Sequence, residues 1–213
     1  MPAYELVIFD FDGTLADSAD WMIETFNGIA QQFGIRSVTP EEIEQLRGRS
    51  NREIVSYLGV PMWKLPGIAT EMRRRVEADA HSIRLFDGIQ SMLERLRAGG
   101  VRTAIVSSNS EQNIRRILGA QNAALIDFYD CGASLFGKAR KLRAVVTRSG
   151  VPAAKAICIG DETRDIEAAR EAGIVAGAVL WGYAKRDVLQ SFGPTVMFES
   201  MSDIAALAGG DGS

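Results

Sequence analysis

The stretch YELVIFDFDGTLADS, residues 4–18, decides how the rest of the chain is read. Its first six residues form an apolar run that stops abruptly at Asp10. A short, unbroken apolar run of this kind predicts a strand buried on both faces, as in a parallel sheet. Two further runs have the same form, TAIV at 103–106 and AICI at 156–159, and each ends in polar residues: Ser107-Ser108-Asn109 and Gly160-Asp161. Weaker strand patterns occupy 128–131, 175–180 and 196–198, and helical patterns occupy 88–98, 111–118, 138–149, 162–172 and 185–192. Strands alternating with helices predict an α/β fold, a parallel sheet covered by helices on both faces and joined by right-handed crossovers.

One segment breaks the alternation. Between residues 17 and 85 the patterns are helical, with no convincing strand. Thr39-Pro40-Glu41-Glu42 is a strong helix start, with a capping threonine, proline in the first turn and glutamate three residues after the cap. Helical patterns continue at 52–58 and 67–80. The expected organisation is an α/β core made of 1–16 and 86–213, with 17–85 as an all-helical inserted cap. Trp63 and His81, within the insert, are read as structural residues.

The 213 residues carry a net charge of −3 and are 46% hydrophobic, enough for a sizeable core and too acidic for nonspecific nucleic-acid binding. No nucleic-acid partner is expected. The two cysteines, Cys131 and Cys158, form no CxxC pair, which argues against a zinc framework and for a reducing compartment. With no leader pattern and no apolar stretch of about 18 residues, no membrane association is expected and the setting is read as cytoplasmic. The oligomeric expectation is a monomer or weak homodimer.

In an open parallel sheet, ligands bind beyond the carboxyl ends of the strands. If the three clear strands are neighbours, Asp10, Ser107 and Asp161 meet in one crevice, within reach of Asp12, Asp165 and a lysine from the preceding helix. That set suits phosphoryl transfer. Asp10 can attack phosphorus and form an acyl phosphate, while Asp12 protonates the leaving group and then activates water. Several carboxylates beside a phosphate dianion repel one another, so a divalent cation is required, and hard oxygen ligands favour Mg²⁺. Its expected ligands are Asp10, the carbonyl of Asp12, Asp161 and Asp165. Ser107 and backbone amides near Gly13, Thr14, Ser108 and Asn109 can hold phosphate oxygens. Lys138 is favoured over Lys141 as the neutralising cation because Gly137 before it marks a helix entrance facing the crevice.

These motifs, DFDGTLADS at 10–18, Ser107, Lys138 and GDETRD at 160–165, resemble those of the haloacid dehalogenase superfamily, over nearly the whole chain. The resemblance implies a Rossmann-like core with a helical cap after the first motif. It also implies Asp10 as nucleophile, Asp12 as acid/base, and Asp161 and Asp165 as Mg²⁺ ligands. Within the superfamily the chain looks most like phosphoglycolate phosphatases, a likeness supported by the segment VLWGY at 179–183. The dehalogenases and phosphonate-cleaving members lack the second aspartate, so Asp12 argues against both. Sugar phosphomutases retain it and stay open as an alternative. A phospho-receiver or regulatory binding module shares the acidic Mg²⁺ site but has no reason to carry a cap or Asp12. The partner is therefore read as a small-molecule phosphate ester. Specificity is assigned to the insert, where Arg47 and Arg49, in LRGRSNRE at 46–53, suit a substrate carboxylate or second phosphate.

Overall fold

The structure is a computed structural model and describes residues 4–47, 49, 51–132 and 137–209. Six strands form a wholly parallel sheet: β1 (Leu6–Phe9), β4 (Arg102–Val106), β5 (Phe128–Asp130), β6 (Ala156–Gly160), β7 (Val175–Val179) and β8 (Val196–Phe198). Their spatial order is β5-β4-β1-β6-β7-β8, so the three strands that end in polar residues are adjacent. The chain runs outward from β1 through β4 to β5, then returns to the other side of β1 for β6, β7 and β8. Neighbouring β1 and β6 therefore send their following connections in opposite directions, which opens a crevice beyond their carboxyl ends.

The strands are apolar throughout because both faces are covered. Val7, Phe9, Ile105, Ile157 and Ile159 pack on one side with α5 (Ile89–Ala98), α6 (Glu111–Ala123) and α10 (Met201–Ala205). Leu6, Ile8, Ala104, Val106 and Cys158 point the other way, toward α7 (Lys138–Ser149), α8 (Thr163–Ala172) and α9 (Arg186–Ser191). Alternate strand residues thus serve opposite layers, as the two-residue period of a strand requires. α6 bends at Gly119 and continues beyond the expected end of its helical pattern, because glycine tolerates the φ of 72° found there.

The helical insert contains α1 (Ala19–Phe33), α2 (Pro40–Leu46), α3 (Asn51–Tyr57) and α4 (Leu65–Asp79). The Thr39 hydroxyl accepts from the Glu42 amide at 3.3 Å and the Glu42 carboxylate accepts from the Thr39 amide at 3.0 Å, closing the box that starts α2. Ile29, Leu58, Val60 and Ile68 make a small core within the insert, while Val76 and Ala80 join the larger core of the sheet. Contrary to the expectation of no strand in this segment, the insert is rooted in a two-stranded antiparallel ribbon, β2 (Ala16–Asp17) and β3 (Arg84–Leu85). Strands of two residues carry no readable periodicity, and this pair exists because the two crossings of the chain come together. Trp63, read as structural, is instead 77% exposed, and His81 is also exposed. Among the described residues no helix is long and apolar enough to cross a membrane.

Candidate active site

Asp10 follows β1, and its amide is held by the Ile159 carbonyl of β6 at 2.8 Å. Asp10 is 2% exposed, and its two carboxylate oxygens differ. Oδ1 accepts from the Phe11 amide at 2.8 Å. Oδ2 lies 2.7 Å from Lys138 Nζ and 3.7 Å from Arg164 Nη2, yet accepts no well-directed hydrogen bond. Lys138, at the start of α7, aims its hydrogen bond at Asp165 Oδ1 instead, at 2.6 Å. Lys141, the competing lysine, donates to the carbonyl of Gly132 at 2.7 Å and is occupied with backbone.

Asp161 and Asp165 are each 1% exposed, the first beyond the end of β6 and the second in the first turn of α8. Thr14 Oγ1 donates to Asp161 Oδ1 at 2.9 Å, and the Tyr183 amide donates to Oδ2 at 2.8 Å. Asp165 Oδ2 accepts from the Glu162 amide at 3.0 Å. Asp10, Asp161 and Asp165 can each present a carboxylate oxygen within 4.8 Å of the others. Burial pushes Asp161 well above the usual carboxylate range, reinforced by the negative charges of Glu162, Asp165 and Asp10. Burial acts the same way on Asp165, but Lys138 and Arg164 outweigh it and hold that group below its ordinary value. The surrounding cations thus leave one of three clustered carboxylates short of positive charge. Together with the orphaned Oδ2 of Asp10, this donor set fits a divalent metal ion.

Asp12 is half-buried, and its side chain stands outside that cluster; the metal role expected of it belonged to its carbonyl. Ser18 Oγ donates to Asp12 Oδ1 at 3.0 Å. Burial, and then the charge of Asp10, push the Asp12 carboxyl up to about 6. Two glycines make the close packing possible. At Gly13, with φ of 75°, a Cβ would fall 2.2 Å from Asp161 Oδ2; at Gly182 it would fall 2.1 Å from Asp161 Cβ.

The other expected phosphate-side residues are placed as follows. Ser107 is buried at the end of β4, and its hydroxyl accepts from the Asn109 amide at 3.1 Å. Asn109 is buried and accepts from the Ser110 amide at 2.9 Å, while Ser108 is exposed. Thr14 is fully buried behind Asp161, with its carbonyl taken by Trp181 Nε1 at 3.1 Å. Arg47 points its guanidinium at the carbonyls of Gly182 and Tyr183, and Arg49 is exposed. Gly48 and Ser50 beside them lie outside the described residues.

Two contributors escaped the sequence reading. Arg164 bonds Glu162 Oε1 at 2.8 Å through Nη2, while its buried Nε has no hydrogen-bond partner among the described residues. A signal existed: a basic residue in the first turn of a helix opposes the helix dipole and calls for a local anion. The second is the backbone of Gly182 and Tyr183, whose role depends on a fold-level approach that no local pattern records.

The family model of haloacid dehalogenase-like hydrolases matches residues 7–179. The chain belongs to that family. Among curated relatives, this haloacid dehalogenase-like hydrolase is 35% identical to the phosphoglycolate phosphatase of Synechococcus elongatus over 201 residues, covering 94% of this chain and 95% of that one. It is 32% identical to the phosphoglycolate phosphatase of Xanthomonas campestris, covering 85% of each. Its fold matches a haloacid dehalogenase-like family hydrolase of Streptococcus pneumoniae with a TM-score of 0.80 at 20% identity, over 96% of this chain and 98% of that one.

Proposed function

We propose that the protein is a Mg²⁺-dependent phosphatase that hydrolyses small phosphate monoesters, with phosphoglycolate-like acids as the first substrates to try. The observation that carries this reading is the pairing of Asp10 and Asp12. One carboxylate is buried and faced by two cations, and two residues away the other is pushed up to about 6. A nucleophile must stay ionised, whereas a general acid must hold a proton near neutral pH. The sequence likeness to curated phosphoglycolate phosphatases supports the substrate class.

In the first step a carboxylate oxygen of Asp10 attacks phosphorus, the bond from phosphorus to the ester oxygen breaks, and Asp12 gives its proton to the departing alkoxide. In the second, Asp12 takes a proton from water as that water attacks the acyl phosphate. The bond from phosphorus to Asp10 then breaks, inorganic phosphate leaves, and both aspartates return to their starting states. Lys138 offsets negative charge on Asp10 and fixes the direction of Asp165. Ser107 offers a hydroxyl donor for a phosphoryl oxygen, whereas the amides of Phe11, Gly13 and Thr14, expected to serve the phosphate, are spent on Asp10 Oδ1 and on the carbonyls of Ala16 and Phe11. A Mg²⁺ held by Asp10, Asp161 and Asp165 would supply electrostatic stabilisation of the negative charge carried by the phosphoryl group.

The test is a panel of phosphate esters assayed with Mg²⁺ and with chelator, followed by rapid quenching and mass spectrometry of the peptide containing Asp10. Release of phosphate with a transient phosphoryl adduct on Asp10 is expected. Hydrolysis that persists in excess chelator, or turnover with the adduct on another residue, defeats the reading.

A further inference from the structure

Arg47 and Asp161 grip the same two peptide planes from opposite ends. Arg47 Nη2 donates to the Gly182 carbonyl at 3.2 Å, and the amide of that same peptide unit, Tyr183 N–H, donates to Asp161 Oδ2 at 2.8 Å. Arg47 Nε donates to the Tyr183 carbonyl at 2.6 Å, and the amide of that next unit, Ala184 N–H, donates to the Asp161 backbone carbonyl at 3.2 Å. Arg47 belongs to the insert, just after α2, whereas Asp161 lies in the core. Two hydrogen-bonded relays therefore join the insert to Asp161, one at its carboxylate and one at its backbone carbonyl.

The contact depends on the shape of an arginine. A planar guanidinium can place two N–H groups on two successive carbonyls, which a lysine ammonium does not reproduce. The pairing is braced by Glu44, which lies 3.4 Å from Arg47 Nη1 and 2.7 Å from Lys185 Nζ, next in the same loop. On its other side the loop has no slack: Gly182 passes so close to Asp161 that a Cβ would overlap it, and Trp181 is tied to the Thr14 carbonyl. Thr14 in turn holds the second Asp161 oxygen. A shift of residues 182–184 is thus passed to Asp161. Donation to a carbonyl also polarises its peptide and strengthens the bond made by the amide at its far end.

From this arrangement we infer that Arg47 is a positioning residue: by holding the 182–183 carbonyls when the insert is docked, it orients Asp161 and so raises the affinity of the acidic cluster for Mg²⁺. The inference rests on the proposed metal-dependent reaction only for the identity of the ion. Arg47 is accordingly assigned to a backbone relay, and the substrate contact expected from the sequence is left to other residues of the insert.

The experiment compares wild type, Arg47→Ala and Arg47→Lys in the full chain. Calorimetric titration with Mg²⁺ without substrate should show affinity about tenfold or more weaker in Arg47→Ala, the scale of losing an outer partner of a metal ligand. Arg47→Lys should give little rescue, since it restores charge without the fork. Amide exchange at Tyr183 and Ala184 should accelerate in both variants at equal global stability. At saturating Mg²⁺, KM for acidic and for aryl phosphates should stay close to wild type. Unchanged Mg²⁺ affinity with a raised KM for acidic esters alone would make Arg47 a substrate contact and overturn the inference. Unchanged exchange at the two amides would overturn it too. A wild type that binds Mg²⁺ but hydrolyses no ester would sink the proposed reaction and leave the relay to be decided by the exchange and titration data.

Discussion

The crevice beyond β1 and β6 and the helical insert are built on different principles. In the crevice Asp10, Asp161 and Asp165 are almost fully buried, and each has at least one carboxylate oxygen hydrogen-bonded by backbone or a short side chain. These carboxyls are held together by the ends of β1 and β6 and by the first turn of α8, with Lys138 and Arg164 offsetting part of their repulsion. The insert closes its own small core around Ile29, Leu58, Val60 and Ile68 and keeps basic side chains such as Arg49 and Arg74 at its surface. On the proposed reading, chemistry that needs fixed angles sits in the half whose charged side chains are most buried. The insert closes on a smaller core, and on the proposed reading it is the part assigned to discriminate among substrates.

The contrast breaks first if the crevice tolerates change. Asp10→Asn is nearly isosteric and should leave the fold intact, but an amide is a poor nucleophile and removes one anionic donor. Turnover should fall by on the order of 10⁴-fold or more. Near-normal turnover would remove the covalent mechanism. Withdrawing Mg²⁺ should abolish activity as well, and it should expose the repulsion within the cluster. Saturating metal stabilises the fold by about 2.7 kcal/mol at a hundred times its dissociation constant, or roughly 5–10 °C in Tm for a chain of this size. The sign of the pH dependence follows from three raised carboxyls, Asp12 at about 6, Asp161 well above its ordinary value and Glu162 above its own, each pushed up first by burial. A raised carboxyl binds its proton more tightly folded than unfolded, so its stabilising contribution is full below the ordinary carboxylate pKa, near 4, and is lost as pH rises through the folded value. The metal-free protein should therefore gain more in Tm from Mg²⁺ at pH 7.5 than at pH 5. An equal gain at both would show that protons and metal do not compete there.

A smaller effect separates the two aspartates. Asp12→Asn should slow alkyl phosphate hydrolysis by roughly 10²-fold or more, the scale of lost acid–base assistance. Aryl phosphates, whose leaving groups need less protonation, should lose less in the first step. Equal losses on both ester types would indicate that Asp12 does not act as the acid toward the leaving group.

Legibility followed the same division. The three central strands could be read because an apolar run ending in a carboxylate or serine is a local signal, and Asp10, Ser107 and Asp161 lie at or beside their ends. Lys138 could be preferred over Lys141 from a single preceding glycine, and the structure puts its Nζ 2.7 Å from Asp10. Pairs made by folding alone left no trace. The two-residue ribbon at the root of the insert is too short to show a period. Tyr183 reaches Asp161 through its amide, which carries no side-chain signature. Arg47 and Arg49 look alike in the sequence, and only the approach of residues 182 and 183 distinguishes them.

That last pair yields the smallest and sharpest prediction. Arg47 commits its guanidinium to backbone, whereas Arg49 is exposed on the same loop, with its amide held by the Leu46 carbonyl at 2.9 Å. On the proposed reading the core holds the phosphoryl group common to all substrates, and the preference for an acidic leaving group is assigned to a residue of the insert such as Arg49. Removing a charge-assisted hydrogen bond costs about 1.5–3 kcal/mol, and an exposed arginine belongs at the lower end, roughly a tenfold effect. Arg49→Ala should therefore lower kcat/KM on phosphoglycolate by about tenfold, mostly through KM, and leave a neutral aryl phosphate nearly unchanged. The loss should also shrink as salt is added, because the contact is partly solvated. If both substrates fall together, Arg49 acts on the position of the insert, and the two arginines share one structural task. If neither moves, discrimination lies elsewhere in the insert, and the division between a chemical half and a selective half must be drawn at other residues.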